Sequence, residues 1–288
     1  MPSDELTCAD VAGPASIPRV LSIAGSDSGG GAGVQADLKA FAACGVHGLT
    51  AITALTAQNT VAVIAVEPVS GDMVLAQVHA VASDIGVDAV KIGMLGTEAT
   101  IRTVATALEE LPEGTPVVLD PVMVSESGAQ LLEPTARQAL IELILPRVTV
   151  VTPNLPEARV LAGQPDAEAD ALARAIRGLG PGIVVVTGGH RRQAVDVFFD
   201  GDQTVDIPGP RFPGGAAHGS GCTHSSVLAA RLAWGDEPLQ AARAAKEMAA
   251  RAVRDGLTSV GRGAGPVNVL GLGVTPEAPQ PGCPSQPG

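Results

Sequence analysis

The chain has 288 residues, of which 45% are hydrophobic and 17% charged, and its formal net charge is −12. This composition predicts a globular protein with a sizeable core and excludes a largely disordered chain. The negative charge, with no basic cluster beyond Arg191 and Arg192, argues against a surface that binds nucleic acid. Aromatic residues make up only 2%, so a flat ligand will find few rings to stack on.

The cysteines indicate the compartment. Cys8, Cys44, Cys222 and Cys283 form no CxxC pair and no metal-like cluster with histidine. Such a pattern favours a reducing cytoplasm over a disulfide framework. Residues 1–18 lack the basic start and apolar run of a signal peptide, and no apolar stretch is long enough to span a bilayer. We therefore expect a cytoplasmic protein without membrane contact.

Proline and polar residues break up both ends of the chain. Residues 1–18 and the Pro/Gly-rich residues 273–288 are predicted to be disordered tails, because neither can bury a core. No long linker or internal repeat interrupts residues 19–272, which are predicted to form one domain.

The predicted elements alternate along this domain. Short β-branched runs predict strands at Arg19–Ala24, Ala89–Ile92, Val117–Asp120, Val148–Val151 and Ile183–Thr187, with a hairpin at Val195–Phe199 and Gln203–Ile207. Amphipathic runs predict helices at Val34–Ala43, Asp72–Ile85, Thr97–Leu111, Pro134–Leu145, Glu168–Gly178, Thr223–Trp234 and Pro238–Asp255. The alternation predicts a mainly parallel sheet with helices on both faces. Ligands of such folds bind at the carboxyl ends of the strands, so the loops there are the candidate site.

The glycine loop Gly25–Gly33 follows the first predicted strand. Its spacing fits neither the dinucleotide fingerprint nor a Walker A loop. One interpretation is a floor for a small flat ligand, with Asp37 supplying a carboxylate to ring nitrogens or to an amine. The alternative is a tight turn between strand and helix, with Asp37 as a solvated carboxylate of the first helical turn.

Two later loops carry oxygen ligands. Asn154 is placed to cap the next helix, with Glu157 three residues on as its capping-box partner. The functional alternative is that these oxygens help to hold Mg²⁺ through water near ATP phosphates. Asp120, at the end of its predicted strand, is a second carboxylate suited to that task.

The loop His218–Thr223 leads into a helix and contains Gly219 and Gly221. Backbone amides there, together with the helix dipole, predict an anion hole. The helix entrance should also lower the pKa of Cys222, which would then accept the proton of a substrate hydroxyl. The alternative is an ordinary helix cap with a small buried cysteine. His218 has no evident acid–base partner, and His224 is interpreted as structural.

The order of the motifs carries a resemblance that no single motif does. AGSDSGGGAGVQADLKAFAACG, TALTAQNT, KIGML, VLDPVM, TPNLPEA, GGH, HGSGCT and GRGAGPV follow one another between about Arg19 and Val269. This order resembles the hydroxymethylpyrimidine/phosphomethylpyrimidine kinase family of thiamine biosynthesis, within the ribokinase-like superfamily. The resemblance implies a three-layer α/β/α fold with a central, mainly parallel sheet and no separate lid domain.

The resemblance also implies an activity. Members of the family phosphorylate 4-amino-5-hydroxymethyl-2-methylpyrimidine on its hydroxymethyl group and then phosphorylate the monophosphate to the diphosphate. ATP and Mg²⁺ are required, and a homodimer is expected.

The implied site residues fall into four groups. The implied base is Cys222, and the implied anion hole is Gly219, Ser220 and Gly221. The implied pyrimidine contacts are Gly25, Ala32, Asp37, Gln58, Met94 and Val122. The implied ATP and metal region is Asp120, Asn154, Glu157 and Thr187, with Mg²⁺ held by Asp120 and Glu157, through water.

Three positions depart from the family pattern. Thr187 stands where the family often has a lysine that would neutralise an ATP phosphate. Ser220 replaces the commoner threonine, which is a mild change. Ser125 and Glu126 replace a stretch that often carries lysine or threonine, so the second phosphorylation is expected to be the more sensitive step.

Other functions remain open at this point. A pyridoxal or pyridoxine kinase is the main rival, because related enzymes accept both rings. A catalytically weak vitamin-binding protein of the same fold is a second alternative, suggested by Thr187. A dinucleotide-dependent oxidoreductase is disfavoured by the spacing of the glycine loop.

Overall fold

A computed structural model of the protein describes residues 16–189 and 194–273. The two predicted tails, 1–18 and 273–288, therefore lie almost entirely outside the described residues. His190, Arg191 and Arg192 lie outside them as well.

An eight-stranded sheet forms the centre of the protein, with strand order β10-β9-β8-β7-β6-β5-β1-β2. Its strands are β1 (Arg19–Ala24), β2 (His47–Ile52), β5 (Ala89–Ile92), β6 (Val117–Leu119), β7 (Val150–Val151), β8 (Ile183–Val186), β9 (Asp196–Phe199) and β10 (Thr204–Ile207). The six strands from β2 to β8 in this order pair in parallel, and β9 and β10 close one edge antiparallel. A separate antiparallel pair joins β3 (Ala54–Gln58) to β4 (Val63–Pro68).

Helices cover both faces of this sheet. They are α1 (Gly33–Ala43), α2 (Gly71–Asp84), α3 (Glu98–Ala107), α4 (Ala136–Ala139), α5 (Leu155–Ala162), α6 (Ala169–Arg177), α7 (Ser220–Ala233) and α8 (Pro238–Arg254). One hydrophobic core lies between the sheet and α2 to α6, and a second lies between the sheet and α1, α7 and α8. The predicted three-layer arrangement is therefore confirmed.

The elements missed from sequence are β2, β3 and β4. Strand β2 is only half apolar, and β4 is exposed over almost its whole length, so neither shows the continuous apolar run of the central strands. The predicted helix Pro134–Leu145 is α-helical only over Ala136–Ala139 and then passes through a π turn into a 3₁₀ turn. Pro146 lies in that last turn and has no N–H to continue the α-helical ladder.

A buried ion pair ties the sheet to the helices that cover one of its faces. Lys91 on β5 places its Nζ 2.8 Å and 3.0 Å from the two carboxylate oxygens of Asp37 on α1. Both side chains are fully buried. Ser22 on β1 and Ser226 on α7 donate to the same carboxylate at 2.6 and 2.7 Å. Four elements therefore meet at one carboxylate.

In the described ranges, no helix is both long and apolar enough to cross a bilayer.

We predict that Lys91→Met lowers the free energy of unfolding by about 3–5 kcal/mol, because it leaves the Asp37 carboxylate buried without a counter-charge. The double variant Lys91→Met, Asp37→Asn should recover part of this loss, since the uncompensated charge is gone. Urea denaturation followed by circular dichroism measures both.

The matched control is Arg102→Ala, which removes an exposed pair with Glu98 and should change stability by less than about 1 kcal/mol. A loss for Lys91→Met as small as that of Arg102→Ala would contradict the structural role given to the buried pair.

Candidate active site

A cleft of about 440 Å³ opens at the carboxyl ends of the parallel strands. The loops after β1, β5, β6, β7 and β8 all reach it, as does the start of α7. It brings together every site residue predicted from sequence except one. The predicted residues that line it are Gly25, Ala32, Gln58, Met94, Asp120, Val122, Asn154, Glu157, Thr187, Gly219, Ser220, Gly221 and Cys222.

Asp37 is the exception. Its side chain is fully buried beneath the cleft, and its two oxygens accept four hydrogen bonds from Lys91, Ser22 and Ser226. A carboxylate saturated in this way has no lone pair to offer to a ring nitrogen or an amine. The structure thus differs from the expectation that Asp37 contacts a ligand. Asp37 instead holds Lys91 in place, and Lys91 lines the cleft.

The glycine loop is wrapped around the carboxylate of Asp27. Its oxygens accept the amides of Gly29 at 2.8 Å, Gly31 at 3.0 Å and Ala32 at 2.8 Å. His218 Nε2 lies 3.0 Å from the same carboxylate, so the histidine left without a partner by the sequence has one. Burial acts to raise the pKa of Asp27, but the contacts from His218 and the amides outweigh it and hold the pKa below its usual value.

One end of the cleft is suited to a small flat ring. Met94 packs directly over Gly25, where an added Cβ would lie 3.2 Å from the methionine sulfur. Val122 contributes a second apolar wall. Gln58 ends β3 here, and its backbone is hydrogen-bonded to the hydroxyl of Ser28 in the glycine loop. Its side-chain amide offers both a donor and an acceptor to the edge of a ring.

The start of α7 provides unoccupied amides at the other end of the cleft. The amides of Ser220 and Thr223 are bonded to the carbonyls of Ala217 and Gly219. Within the described part of the chain, those of Gly221 and Cys222 have no acceptor. Gly219 adopts a φ of 84°, and an added Cβ there would lie 1.8 Å from the Gly31 carbonyl oxygen, so the two loops can meet only at glycine.

Cys222 stands at the junction of these two loops. Its sulfur accepts a hydrogen bond from the Gly33 amide, and the residue as a whole is half-buried. Burial of the thiol raises the pKa of Cys222 to about 12, although the positive charge of Lys91 acts to lower it. The expectation of a lowered thiol pKa at this helix start is therefore wrong, because burial and the charges of Asp120 and Asp37 outweigh the influence of Lys91 and the Gly33 amide.

Two carboxylates face each other near the anion hole. Asn154 and Glu157 form the predicted capping box, with both reciprocal hydrogen bonds at 2.9 Å. Burial and the charge of Asp120 raise the pKa of Glu157 to about 8. Burial also raises the pKa of Asp120, against the opposing charge of Lys91. Ser225 on α7 donates to Asp120 at 3.3 Å.

This pair of carboxylates fits Mg²⁺ in part. Both carboxylates are oxygen donors whose mutual repulsion a divalent cation would relieve. Across the described residues, however, no three His, Cys, Asp or Glu side chains are grouped so as to hold a metal by themselves. A cation here would have to take its remaining ligands from water and from phosphate, which is the usual coordination of Mg²⁺ beside a nucleotide.

Three contributors to the site were missed from sequence. Asp27 and Lys91 have partners that are 191 and 54 residues away. Lys246 on α8 lines the cleft beside Asp196. The one signal for Lys91 was a charged residue inside the otherwise apolar strand AVKI.

Known proteins are similar to this chain in sequence. The chain matches the family described as phosphomethylpyrimidine kinase over residues 27–268. A hydroxymethylpyrimidine/phosphomethylpyrimidine kinase of Rhizobium meliloti (strain 1021) is 50% identical over 256 residues, which cover 86% of this chain and 95% of that protein.

Solved structures of other kinases are similar to this chain in fold. An ADP complex of Bacillus subtilis pyridoxal kinase superposes with a TM-score of 0.81 and 38% identity, covering 90% of this chain and 100% of that one. A phosphomethylpyrimidine kinase from Clostridium difficile 630 superposes with a TM-score of 0.70 and 39% identity, covering 80% and 96%.

The family match spans most of the glycine loop, the later strand ends and the start of α7, which are segments that build the cleft. The resemblance deduced from the order of the motifs is therefore confirmed, and this chain belongs to the phosphomethylpyrimidine kinase family.

Proposed function

We propose that this protein uses ATP to phosphorylate 4-amino-5-hydroxymethyl-2-methylpyrimidine and then its monophosphate, in thiamine biosynthesis. The observation that carries this proposal is that one cleft holds a ring-sized end at Gln58 and Met94 and an anion-binding end at Gly221, with Cys222 at their junction. The names of the relatives, hydroxymethylpyrimidine/phosphomethylpyrimidine kinases, support the same substrate.

The ring end would orient the substrate. Gln58 pairs with the edge of the aminopyrimidine, while Met94, Val122, Gly25 and Ala32 pack against its faces. With few aromatic residues in the chain, backbone and methionine take the place of stacking rings. This arrangement directs the hydroxymethyl group towards Cys222.

The anion end would hold the phosphoryl group as it transfers. The free amides of Gly221 and Cys222, with Gly219 and Ser220 shaping the turn, donate to its oxygens where negative charge must be stabilised. Phosphoryl transfer depends on such positioning more than on covalent chemistry.

Asp120 and Glu157 would hold Mg²⁺, through water, beside the phosphates, with Asn154 fixing Glu157 by the capping box. The ion would supply charge neutralisation between the phosphates and these carboxylates. Ionised Asp120 opposes deprotonation of Cys222, so compensating its charge favours the thiolate.

Cys222 is the proposed base. At neutral pH it is a thiol, because its pKa is raised to about 12. Lys91 and the Gly33 amide are the two groups that favour the thiolate. To act as base, the thiol must first lose its own proton to solvent, which the filled site would favour by strengthening these influences over those of Asp120 and Asp37. The resulting thiolate would then take the hydroxyl proton.

A pyridoxal kinase remains the second candidate, because pyridoxal kinases superpose with TM-scores of 0.81. Both substrates are hydroxymethylated six-membered rings that the same cleft could receive. The two substrates differ in the hydrogen-bonding groups that the edge of the ring presents to Gln58.

Incubation of the enzyme with the pyrimidine alcohol, ATP and Mg²⁺, followed by mass spectrometry, should yield a mono- and then a diphosphate. The second product should form more slowly, since Glu126 is exposed at the cleft, where the second acceptor phosphate would lie. Pyridoxal is run in parallel. Turnover of pyridoxal alone would reject the thiamine assignment, and binding of the pyrimidine without ATP consumption would favour a vitamin-binding protein.

Cys222→Ala should lower kcat by about 10²-fold or more, in the range of general-base catalysis, while pyrimidine affinity changes little. Steady-state kinetics and calorimetric titration of the pyrimidine measure the two effects. Cys44→Ala is the control, because Cys44 lies at the C-terminal end of α1 and does not line the cleft. A kcat within twofold of the parent would contradict the role of the Cys222 thiol as base. The backbone amide of Cys222 would then be its one remaining contribution to phosphate binding.

We also propose a cytoplasmic homodimer. Free Cys44 and Cys222 are consistent with a reducing compartment. The β3–β4 pair exposes apolar side chains at Leu55 (52%), Ile64 (72%) and Val66 (41%), a concentration that suits a second copy of the chain.

Ile64→Asp should therefore shift the protein from dimer to monomer in sedimentation velocity, because it places a charge in the middle of that apolar surface. Val160→Asp is the control, since Val160 is an exposed apolar residue on α5, outside the β3–β4 pair. A parent protein that sediments as a monomer, or an unchanged Ile64→Asp dimer, would contradict this assignment.

A further inference from the structure

A hydrogen bond between two buried side chains, His218 and Asp27, joins the two ends of the cleft and has no role in the function described so far. Asp27 lies in the glycine loop, which also carries the proposed ring contacts Gly25 and Ala32. His218 directly precedes Gly219, where the proposed anion hole begins. The exposed fraction is 1% for Asp27 and 8% for His218. The contact therefore lies inside the protein, between the loops that would handle the ring and the phosphate.

The carboxylate of Asp27 fixes the glycine loop and the histidine together. Its Oδ2 accepts the amides of Gly31 and Ala32 at 3.0 and 2.8 Å and lies 3.0 Å from His218 Nε2. Because these contacts hold the pKa of Asp27 below its usual value, the carboxylate is ionised at neutral pH and can only accept hydrogen bonds. The imidazole therefore donates from Nε2. One oxygen thus determines both the shape of the loop and the place of the imidazole.

The two loops also touch directly at glycines. A Cβ on Gly31 would lie 2.2 Å from Cδ2 of His218, so the imidazole packs against bare backbone there. A Cβ on Gly219 would lie 1.8 Å from the Gly31 carbonyl oxygen. Since close-packed groups cannot shift independently, movement of the glycine loop would be transmitted to the turn that begins the anion hole.

A second route leaves the glycine loop through the β3–β4 pair. The Ser28 hydroxyl donates to the Gln58 carbonyl at 2.6 Å and accepts the Gln58 amide at 2.8 Å. Beyond Gln58, the Thr60 hydroxyl accepts the amides of Arg262 and Gly263, each at 3.2 Å. The strand that carries the proposed ring-reading amide is therefore held by the glycine loop and by a segment near the end of the domain.

That segment returns to His218. The Gly265 carbonyl accepts the amide of His218 at 3.3 Å, and the Val267 amide donates to the His218 carbonyl at 3.0 Å. His218 is thus bonded through its backbone to one side of the ring site and through its side chain to the other. The two routes form a closed series of contacts, and they meet at the residue before the anion hole.

We propose that His218, through its bond to Asp27, couples the two ends of the cleft, so that a ring bound at one end strengthens nucleotide binding at the other. This inference rests on the proposed kinase function and adds a positioning residue to it. A bound ring fixes the glycine loop, and the imidazole passes that constraint to the amides of Gly221 and Cys222. By linkage, bound nucleotide must strengthen ring binding by the same factor.

The test is calorimetric titration of the full chain with a non-hydrolysable ATP analogue and Mg²⁺, with and without saturating pyrimidine alcohol. The parent should bind the analogue about 10-fold more tightly when the pyrimidine is present, within the usual range of coupling between sites. His218→Leu should reduce that factor to less than twofold, while its affinity for the analogue alone changes by less than threefold. A merely structural defect would instead weaken both titrations alike.

Three further variants define the contact. His218→Gln should retain most of the coupling, because its Nε2 amide can donate to Asp27. Gly31→Ala should lower the coupling as His218→Leu does, because its Cβ would displace the imidazole without removing either partner. His79→Asn is the matched control, since His79 forms an exposed pair with Glu110 and does not line the cleft, and it should leave the coupling unchanged.

Three results would overturn the inference. One is a parent protein whose affinity for the analogue is the same with and without the ring. Another is His218→Leu with a coupling factor within twofold of the parent. The third is an equal loss of coupling in His79→Asn. Thermal melting identifies a variant that fails to fold. If His218→Leu does so, the conclusion is drawn from Gly31→Ala, whose unchanged coupling would overturn the inference in the same way.

Failure of the proposed function gives a different result. A parent that binds the analogue but neither binds nor phosphorylates the pyrimidine would reject that substrate. Coupling is then measured with pyridoxal, and its loss in His218→Leu would leave the inference standing, whereas its retention would overturn it. A parent that forms pyrimidine phosphates without coupling keeps the proposed function and loses the inference. A protein that binds neither ring would reject both.

Discussion

The ion pair between Lys91 and Asp37 is the constraint on which the rest of the site depends. It joins β5 to α1 beneath the cleft and receives further hydrogen bonds from β1 and α7. Those four elements carry the glycine loop, the methionine wall and the anion hole. A buried pair of this kind is of doubtful benefit to stability as a whole, but it is strongly destabilising to break, so it fixes one arrangement.

Lys91 also sets the electrostatics above it. Burial alone would lower its pKa, but the charges of Asp37 and Asp120 and the hydrogen bond to Asp37 outweigh burial and hold the pKa above its ordinary value. A permanently charged ammonium therefore lies under two groups that the proposed chemistry uses. It acts to lower the pKa of both Cys222 and Asp120, against the burial that raises them. The Asp120 carboxyl and the Cys222 thiol thus both lie close to the fixed positive charge of Lys91.

Much of this could be predicted from the sequence because it is local. The alternation of apolar and amphipathic runs predicted the central strands and most helices, and the rule for the carboxyl ends of parallel strands selected the correct loops. The capping box of Asn154 and Glu157 involves residues only three positions apart, and the structure contains it as predicted. Strand β4 escaped because its side chains are exposed and carry no buried pattern.

What could not be predicted depends on distant partners or on burial. From sequence alone, a carboxylate near the start of α1 is expected to face solvent or a ligand. That Asp37 instead holds a buried lysine in place depends on Lys91, which is 54 residues away in the chain. His218 acquires its partner Asp27 from 191 residues away. The pKa of Cys222 was predicted from its place at a helix start, yet the surrounding protein decides its direction.

The central claim is that one cleft joins a ring site to an anion hole at Cys222. A crystal structure with the pyrimidine alcohol, a non-hydrolysable ATP analogue and Mg²⁺ tests it most directly. We expect the hydroxymethyl oxygen at about 3 Å to 3.5 Å from Cys222 Sγ, within hydrogen-bonding reach, and the terminal phosphate on the amides of Gly221 and Cys222. A pyrimidine bound away from Gln58 and Met94, or a terminal phosphate that does not touch the start of α7, would contradict it.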